Sequence, residues 1–361
     1  MLMANTMSGY ICIKCGKRYP ISNYYKGCIE CLNNGYPSSL SIEYKDGFEL
    51  YNWLPFISPI TLGEGNTPLI KNLVDGFDNI IVKNESTNPT GSHKDRISSY
   101  TISSAISQGY KGVVVASSGN AALSISSYAA YAGIKCVVIS TKALDRYLQK
   151  VLKKMSAEVI LVEQSLQRWE LMKKYVNEGY YPATNYINPP VGSQPIGVQS
   201  FKNISREIFL QLNHSVPNKI VVPTSRGDLF WGIYEGFNEL YNHGFVKFIP
   251  QMVAVEPFPR AKKVLNGASY TDHFNGSTNL YSINGQTVTY QLIKAIEESR
   301  GEAFIVDEED AKREQHALLK KGLNIELSSA TVMSVAKKIS KNNGLTLAIL
   351  TSSATTPVLY S

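Results

Sequence analysis

An α/β fold of two lobes with mostly parallel sheets, preceded by a small cysteine knuckle, is what this 361-residue sequence predicts. Three observations predict it. Short β-branched runs recur from Ile80 onward, longer segments of helical period separate them, and four of the five cysteines crowd into residues 12–31. Regular alternation of strand and helix is the pattern of a parallel sheet covered by helices. Runs that are apolar on both faces, such as 113–116, suit strands buried on both sides.

Taken in order, the strands are expected at 80–82, 113–116, 136–139, 159–162, 220–222, 252–255, 304–306 and 345–350. Helices are expected at 95–108, 120–132, 144–155, 166–178, 197–212, 229–242, 288–299, 308–321 and 329–341. Residues 266–287, rich in Gly, Asn, Ser and Thr, break the alternation and read as an ordered excursion or a flap. A composition of 43% hydrophobic and 18% charged residues supplies enough apolar material for two cores and excludes a disordered chain. The net charge of +7 is dispersed in pairs such as Lys153-Lys154 and Lys320-Lys321. Such pairs read as solvated helix faces, so a nucleic-acid groove is disfavoured. No apolar run reaches membrane-spanning length, and residues 1–10 lack a basic stretch followed by an apolar one. A soluble, cytoplasmic protein is the expectation.

The cysteines come as two pairs, Cys12-x-x-Cys15 and Cys28-x-x-Cys31. Each pair sets two thiolates on one tight turn, and two such turns complete a tetrahedral sulfur site for zinc. Gly16 follows the first pair, where the turn favours a residue without a Cβ. Four sulfur ligands leave no open coordination position, so this zinc would be structural. Disulfides or unrelated free thiols are the competing readings, the former disfavoured in a reducing compartment. Cys136 stands alone in an apolar run and reads as a buried strand thiol.

Three further segments carry chemistry. In 83–96, a strand end passes through Asn88-Pro89-Thr90-Gly91-Ser92 into a helix whose first turn contains Lys94. The helix dipole disfavours a cation there, and a lysine with a lowered pKa suits a covalent nucleophile. An ordinary surface lysine stays open on local chemistry alone. In 113–122, an apolar strand meets the turn Ser117-Ser118-Gly119 and a helix beginning at Asn120, an arrangement that can receive a carboxylate. In 220–229, a strand leads through Pro223-Thr224-Ser225-Arg226-Gly227 to a helix at Asp228-Leu229, which can hold a phosphate. Plain strand-to-helix connections are the alternative for both.

Together, Gly63-Glu64-Gly65-Asn66-Thr67-Pro68-Leu69, Asn88-Pro89-Thr90-Gly91-Ser92-His93-Lys94-Asp95-Arg96 and Ser117-Ser118-Gly119-Asn120 resemble threonine synthase and its relatives among the fold-type II pyridoxal phosphate enzymes. The likeness continues through Val255-Glu256-Pro257 and Ile325-Glu326-Leu327-Ser328-Ser329-Ala330, and the cysteine knuckle resembles the zinc ribbon of some members. It implies pyridoxal 5'-phosphate as cofactor, with Lys94 as the Schiff-base lysine and general base. Asn120 would partner the cofactor's phenolic oxygen, and Ser117, Ser118 and Gly119 would hold the substrate carboxylate. Ser225, Arg226, Gly227, Asp228 and Leu229 would hold the cofactor phosphate, and Thr351 would hydrogen-bond the pyridine nitrogen. The implied domains are a knuckle segment at 1–50, a large cofactor domain at 51–97 with 191–361, and a small substrate domain at 98–190. The cofactor would lie between the lobes, and a homodimer is compatible with the sequence.

The implied activity is elimination or replacement on a small amino-acid substrate, threonine synthase-like, acting at a carbon–oxygen bond to phosphate. Three departures bear on it. The phosphate loop reads Ser225-Arg226-Gly227-Asp228 where relatives are richer in glycine. The Tyr-Arg that follows the family's Asn-Pro is Pro190-Val191-Gly192 here, and the loop after the last strand is Ser352-Ser353-Ala354-Thr355-Thr356-Pro357, without the usual Gly, His and Lys. These losses weaken O-phosphohomoserine as substrate. They keep open a β-replacement synthase acting on an activated serine and forming cysteine, cysteate or diaminopropionate. Lys83, His93, Arg96 and Arg226 are the cations that could compensate. A non-catalytic relic binding a ligand or nucleic acid is the alternative of another class, against which the joint presence of Lys94 and Asn120 argues.

Overall fold

Residues 113, 114 and 115 are consecutive valines whose side chains must alternate between the faces of a strand. In the computed structural model, which describes residues 7–45, 54–56, 59–340 and 344–354, they do so at the centre of a parallel sheet. Val113 and Val115 pack with Ile102, Ile125 and Val138 on one face. Val114 packs with Val137, Ile139, Trp169 and Met172 on the other. Each fully buried side chain of this kind contributes roughly 1.5–3 kcal/mol.

The described residues form two compact units, one of residues 7–64 and 94–200, the other of residues 65–93 and 201–354. The first holds two sheets. β1 (Met7–Cys12), β2 (Arg18–Tyr19) and β3 (Leu40–Tyr44) pair antiparallel in the order β2-β1-β3, with α1 (Ile29–Asn33) in the connection. β6 (Gly112–Ala116), β7 (Lys135–Thr141), β8 (Glu158–Val162) and β9 (Tyr181–Pro182) form a parallel sheet in the order β8-β7-β6-β9. Its helices are α2 (Lys94–Ser107), α3 (Asn120–Ala132), α4 (Arg146–Lys154), α5 (Gln167–Asn177) and α6 (Pro195–Gln199).

The second unit is built on six strands, β4 (Leu69–Ile70), β5 (Ile80–Asn84), β10 (Lys219–Pro223), β11 (Gln251–Glu256), β12 (Glu302–Ile305) and β13 (Thr346–Leu350). They lie in the order β12-β11-β10-β13-β5-β4, parallel except for β4. Helices α7 (Lys202–Gln211), α8 (Asp228–Asn242), α9 (Ala261–Leu265), α10 (Tyr290–Glu298), α11 (Glu308–Lys320) and α12 (Leu327–Ile339) complete it. Ile80, Val82, Val221, Val253 and Ala348 pack with Ala330, Met333 and Leu318 into a buried cluster.

The expected alternation of strand and helix is therefore observed, with parallel sheets in both units. The expected helix at 197–212 is two helices, α6 in the first unit and α7 in the second. Ser200 and Phe201, at the break, keep helical dihedrals, so the helical period runs through it unmarked. Residues 266–287 are a hydrogen-bonded excursion: the Phe274 N–H donates to Gln286 O at 2.8 Å, and Gln286 Nε2 to Gly276 O at 3.2 Å. Cys136 is a buried thiol of β7, 3.5 Å from Ser126 Oγ, and burial pushes its pKa up to about 11. Among the described residues no helix is long and apolar enough to cross a membrane.

Candidate functional site

Cys12 ends β1, Cys15 lies in the turn after it, Cys28 is the N-cap of α1 and Cys31 lies in its first turn. Gly16 closes the first turn at φ 73°, a conformation that costs glycine nothing. The sulfurs of Cys12 and Cys31 are 3.6 Å apart, as are those of Cys15 and Cys28, and all four lie within 4.8 Å of one another. A disulfide would need about 2.05 Å. A metal with bonds of about 2.3 Å to four tetrahedral sulfurs would set them about 3.8 Å apart. N–H groups of Lys14, Cys15 and Cys31 donate to these sulfurs, each at 3.4 Å. Burial opposes ionisation of Cys28, yet the Tyr19 hydroxyl at 3.1 Å and the Cys31 N–H bring its pKa down to about 7. Burial and the neighbouring sulfurs push Cys31 far up instead. Four sulfurs this close cannot all ionise without a cation among them.

In the same unit, β6 ends at Ala116 and runs through Ser117, Ser118 and Gly119 into α3, whose first residue is Asn120. The Ser117 N–H donates to Ile139 O at 3.1 Å, and Ser118 Oγ is 2.8 Å from Ser140 Oγ. Gly119 precedes α3 without a side-chain cap, and a Cβ built on it would meet nothing within 4 Å. The Gly119 N–H donates to Ser117 Oγ at 3.3 Å, and the turn leads into a helix N-terminus, the kind of position that suits an anion. Lys94 is the first residue of α2, and fully buried Asp95 follows it. Asp95 Oδ1 accepts from Ser124 Oγ at 2.6 Å, tying the first turn of α2 to α3. Glu64 accepts from the Tyr128 hydroxyl of α3 at 2.6 Å, from Thr61 Oγ1 at 2.9 Å and from the Leu62 N–H at 3.1 Å.

In the second unit, β5, β13 and β10 are parallel neighbours, so their C-terminal ends share one edge of the sheet. Ligands of open α/β sheets bind beyond that edge. Thr351 follows β13. Its N–H donates to Ser329 Oγ at 2.7 Å, and its carbonyl accepts the His93 N–H at 2.9 Å. The Thr351 side-chain hydroxyl has no hydrogen-bond partner among the described residues. Beside it, β10 runs through Thr224, Ser225, Arg226 and Gly227 to α8, which begins at Asp228. Gly227 has φ 104°, and α8 lacks a side-chain cap. The N–H groups of Ser225, Gly227 and Leu229 have no acceptor among the described residues. Asp228, whose charge would oppose an anion, accepts from Gln291 Nε2 at 2.6 Å. Unpaired amides at a helix N-terminus suit a phosphate, and an unpaired hydroxyl after the neighbouring strand can hydrogen-bond a ring nitrogen.

Of the four cations named as substitutes, Lys83 is fully buried. Its Nζ donates to Thr67 O at 2.6 Å, Glu207 Oε2 at 2.6 Å and Gln211 Oε1 at 2.9 Å, so its three protons are spent. His93 Nδ1 is 3.2 Å from Thr351 O, and Arg226 Nε donates to Thr287 Oγ1 at 3.2 Å. Arg96 is buried in α2. The roles of Asp95, Ser124 and Ser329 are not legible in the sequence. Asp95 and Ser329 lie inside motifs whose recognisable chemistry belongs to their other members, and Ser124 is a helix position without a local signal.

The family model for pyridoxal-phosphate dependent enzymes matches residues 60–351. The chain is similar to a threonine synthase of Methanosarcina acetivorans, 29% identical over 91% of this chain and 86% of that one. It is 28% identical to a threonine synthase of Methanocaldococcus jannaschii over the same shares. Among solved structures, it resembles an O-acetylserine sulfhydrylase isoform of Entamoeba histolytica with TM-score 0.64 and 21% identity, covering 86% of this chain and 89% of that one. The processed form of a threonine deaminase isoform from Solanum lycopersicum gives TM-score 0.66 and 18% identity, with 80% and 79% covered. These structures share the fold.

Proposed function

Because the chain belongs to the pyridoxal-phosphate dependent enzyme family, we propose that it is a threonine synthase-like enzyme that eliminates or replaces a phosphate ester on a small amino-acid substrate. What carries the reading is the edge of the second unit's sheet, where the Thr351 hydroxyl and the Ser225, Gly227 and Leu229 amides lack protein partners among the described residues. Relatives named threonine synthase that span nine-tenths of the chain support the choice of reaction.

When bound, pyridoxal phosphate supplies an electron sink for charge developing at the substrate α-carbon. Lys94 would hold the cofactor covalently and, as a free amine, take the α-proton. Asn120 would donate to the phenolic oxygen. Ser117, Ser118 and Gly119 would hold the substrate carboxylate at the N-terminus of α3. Ser225, Arg226, Gly227, Asp228 and Leu229 would hold the cofactor phosphate. Thr351, a hydroxyl and not a carboxylate, would leave the ring nitrogen unprotonated, which suits elimination and replacement. Residues 98–190 would form the substrate domain. Cys12, Cys15, Cys28 and Cys31 would bind one structural zinc, with no position left for substrate.

A second reading, β-replacement on an activated serine, is favoured by the uncharged Pro190-Val191-Gly192 and by the engagement of Lys83 within the fold. The test is a panel of O-phosphohomoserine, O-phosphoserine, O-acetylserine and serine, following phosphate or acetate release and amino-acid products. Threonine and phosphate from O-phosphohomoserine are expected, with a KM toward the upper end of the usual range, about 1 mM, because Pro190, Val191 and Gly192 are uncharged. Turnover of serine derivatives alone would transfer the assignment to β-replacement.

A further inference from the structure

Arg260 follows the Val255-Glu256-Pro257 motif and is fully buried. Its Nη2 donates to Thr224 O at 2.8 Å, and its Nη1 donates to Gly285 O and lies 3.5 Å from Ser225 O. Its Nε faces Glu256 Oε2 at 3.4 Å. The Glu256 carboxylate is held in turn by the N–H groups of Arg260, Ala261 and Lys262, at 3.1, 2.9 and 3.0 Å. A buried guanidinium with a buried counter-charge is thus aimed at the carbonyls of the loop that leads into α8.

A trans peptide points its C=O and N–H in opposite directions. Fixing Thr224 O on Arg260 therefore turns the Ser225 N–H away from it, and fixing Ser225 O does the same for the Arg226 N–H. The next two carbonyls are also taken: Arg226 O accepts from Thr289 Oγ1 at 2.5 Å, and Gly227 O from the Trp231 N–H at 2.8 Å. Every carbonyl from Thr224 to Gly227 is drawn to the protein side, while the amides of Ser225, Gly227 and Leu229 have no acceptor among the described residues. Glycine-rich loops reach such geometry through backbone freedom. The segment from Thr224 to Asp228 has one glycine.

We propose that Arg260 is a positioning residue for the anion site: by collecting the carbonyls of Thr224 and Ser225 it presents the loop's amides to the cofactor phosphate, and through Gly285 it fastens the 266–287 excursion to the same loop. The inference rests on the reading of Ser225–Leu229 as the cofactor's phosphate site. It predicts that Arg260 governs discrimination between pyridoxal 5'-phosphate and pyridoxal, which differ only in the phosphate.

The experiment titrates cofactor-free full-length protein with each compound, by absorbance, for wild type and two variants. Arg260→Lys keeps the charge opposite Glu256 but loses the two-pronged contact. Glu256→Gln with Arg260→Met removes both charges, so neither leaves a buried ion unpaired. Far-UV circular dichroism and thermal unfolding establish that the tested variant is folded. The expected result is a preference for the phosphorylated compound reduced about tenfold or more, with pyridoxal bound within about threefold of wild type. An unchanged preference in a folded variant, or an equal loss of affinity for both compounds, overturns the proposal. Wild type that binds neither compound refutes the underlying cofactor reading instead.

Discussion

Ser124 Oγ of α3 lies 2.6 Å from Asp95 Oδ1 of α2, and both residues are fully buried. The contact joins the helix that begins at Lys94 to the helix that begins at Asn120. Ser124 Oγ also lies 2.7 Å from Ser98 Oγ, so the hydroxyl belongs to a buried polar cluster. Hydrogen bonds to charged groups are worth about 1.5–3 kcal/mol. Ser124→Ala should destabilise the protein by about that amount in urea unfolding and lower kcat more than it changes cofactor affinity. Unchanged stability and kcat would show that the two helices are held together by other contacts.

Lys83 answers a question the sequence could only pose, whether it serves a phosphate or the fold. Its ion pair with Glu207 is 2.6 Å, with 0% and 11% of the two side chains exposed. Removing one partner of such a pair costs about 3–5 kcal/mol. Lys83→Met is expected to lose about that stability in denaturant unfolding. A stable Lys83→Met whose KM for the phosphate ester alone rises would instead make Lys83 a substrate contact.

Gly227 leaves no room for a side chain in the loop proposed to hold the phosphate. Its φ is 104°, and an added Cβ would lie 2.6 Å from Leu292 Cβ. Gly227→Ala combines a left-handed conformation, about 1–2 kcal/mol, with overpacking of about 1–3 kcal/mol. Equilibrium binding should show weaker pyridoxal phosphate affinity by at least about tenfold, equivalent to about 1.4 kcal/mol. Wild-type affinity in the variant would place the phosphate elsewhere.

Removal of metal tests the knuckle separately. Protein purified without chelator should carry about one zinc per chain, and chelation should expose Cys12, Cys28 and Cys31 to thiol reagents while cofactor binding persists. Metal analysis finding no zinc, with all four thiols freely titratable, contradicts the assignment.

The parallel strands are legible because β-branched runs buried on both faces leave a plain pattern, as in Val113-Val114-Val115. The cysteine knuckle is legible from its two Cys-x-x-Cys turns. The strands around it leave a weaker pattern: Ser8 and Gly9 interrupt the apolar residues of Met7–Cys12, and Leu40–Tyr44 alternates Leu, Ile and Tyr with Ser and Glu over only five residues, with its pairing non-local. The helix expected at 197–212 shows the converse failure: helical dihedrals persist through Ser200 and Phe201, so no Gly or Pro marks where one helix ends. Among site residues, Lys94, Asn120 and Thr351 stand in recognisable motifs. Arg260 acts on backbone carbonyls, which any sequence provides, and its role emerges only from the fold.

Lys94 is the residue on which the proposed chemistry depends. Borohydride reduction of protein loaded with pyridoxal phosphate, followed by peptide mapping, tests it most directly. The reading predicts a pyridoxyl group on Lys94 as the principal adduct, absent from Lys94→Ala, which should still bind the cofactor without turning over substrate. A principal adduct on any other lysine, or none in protein shown to have bound the cofactor, would contradict it.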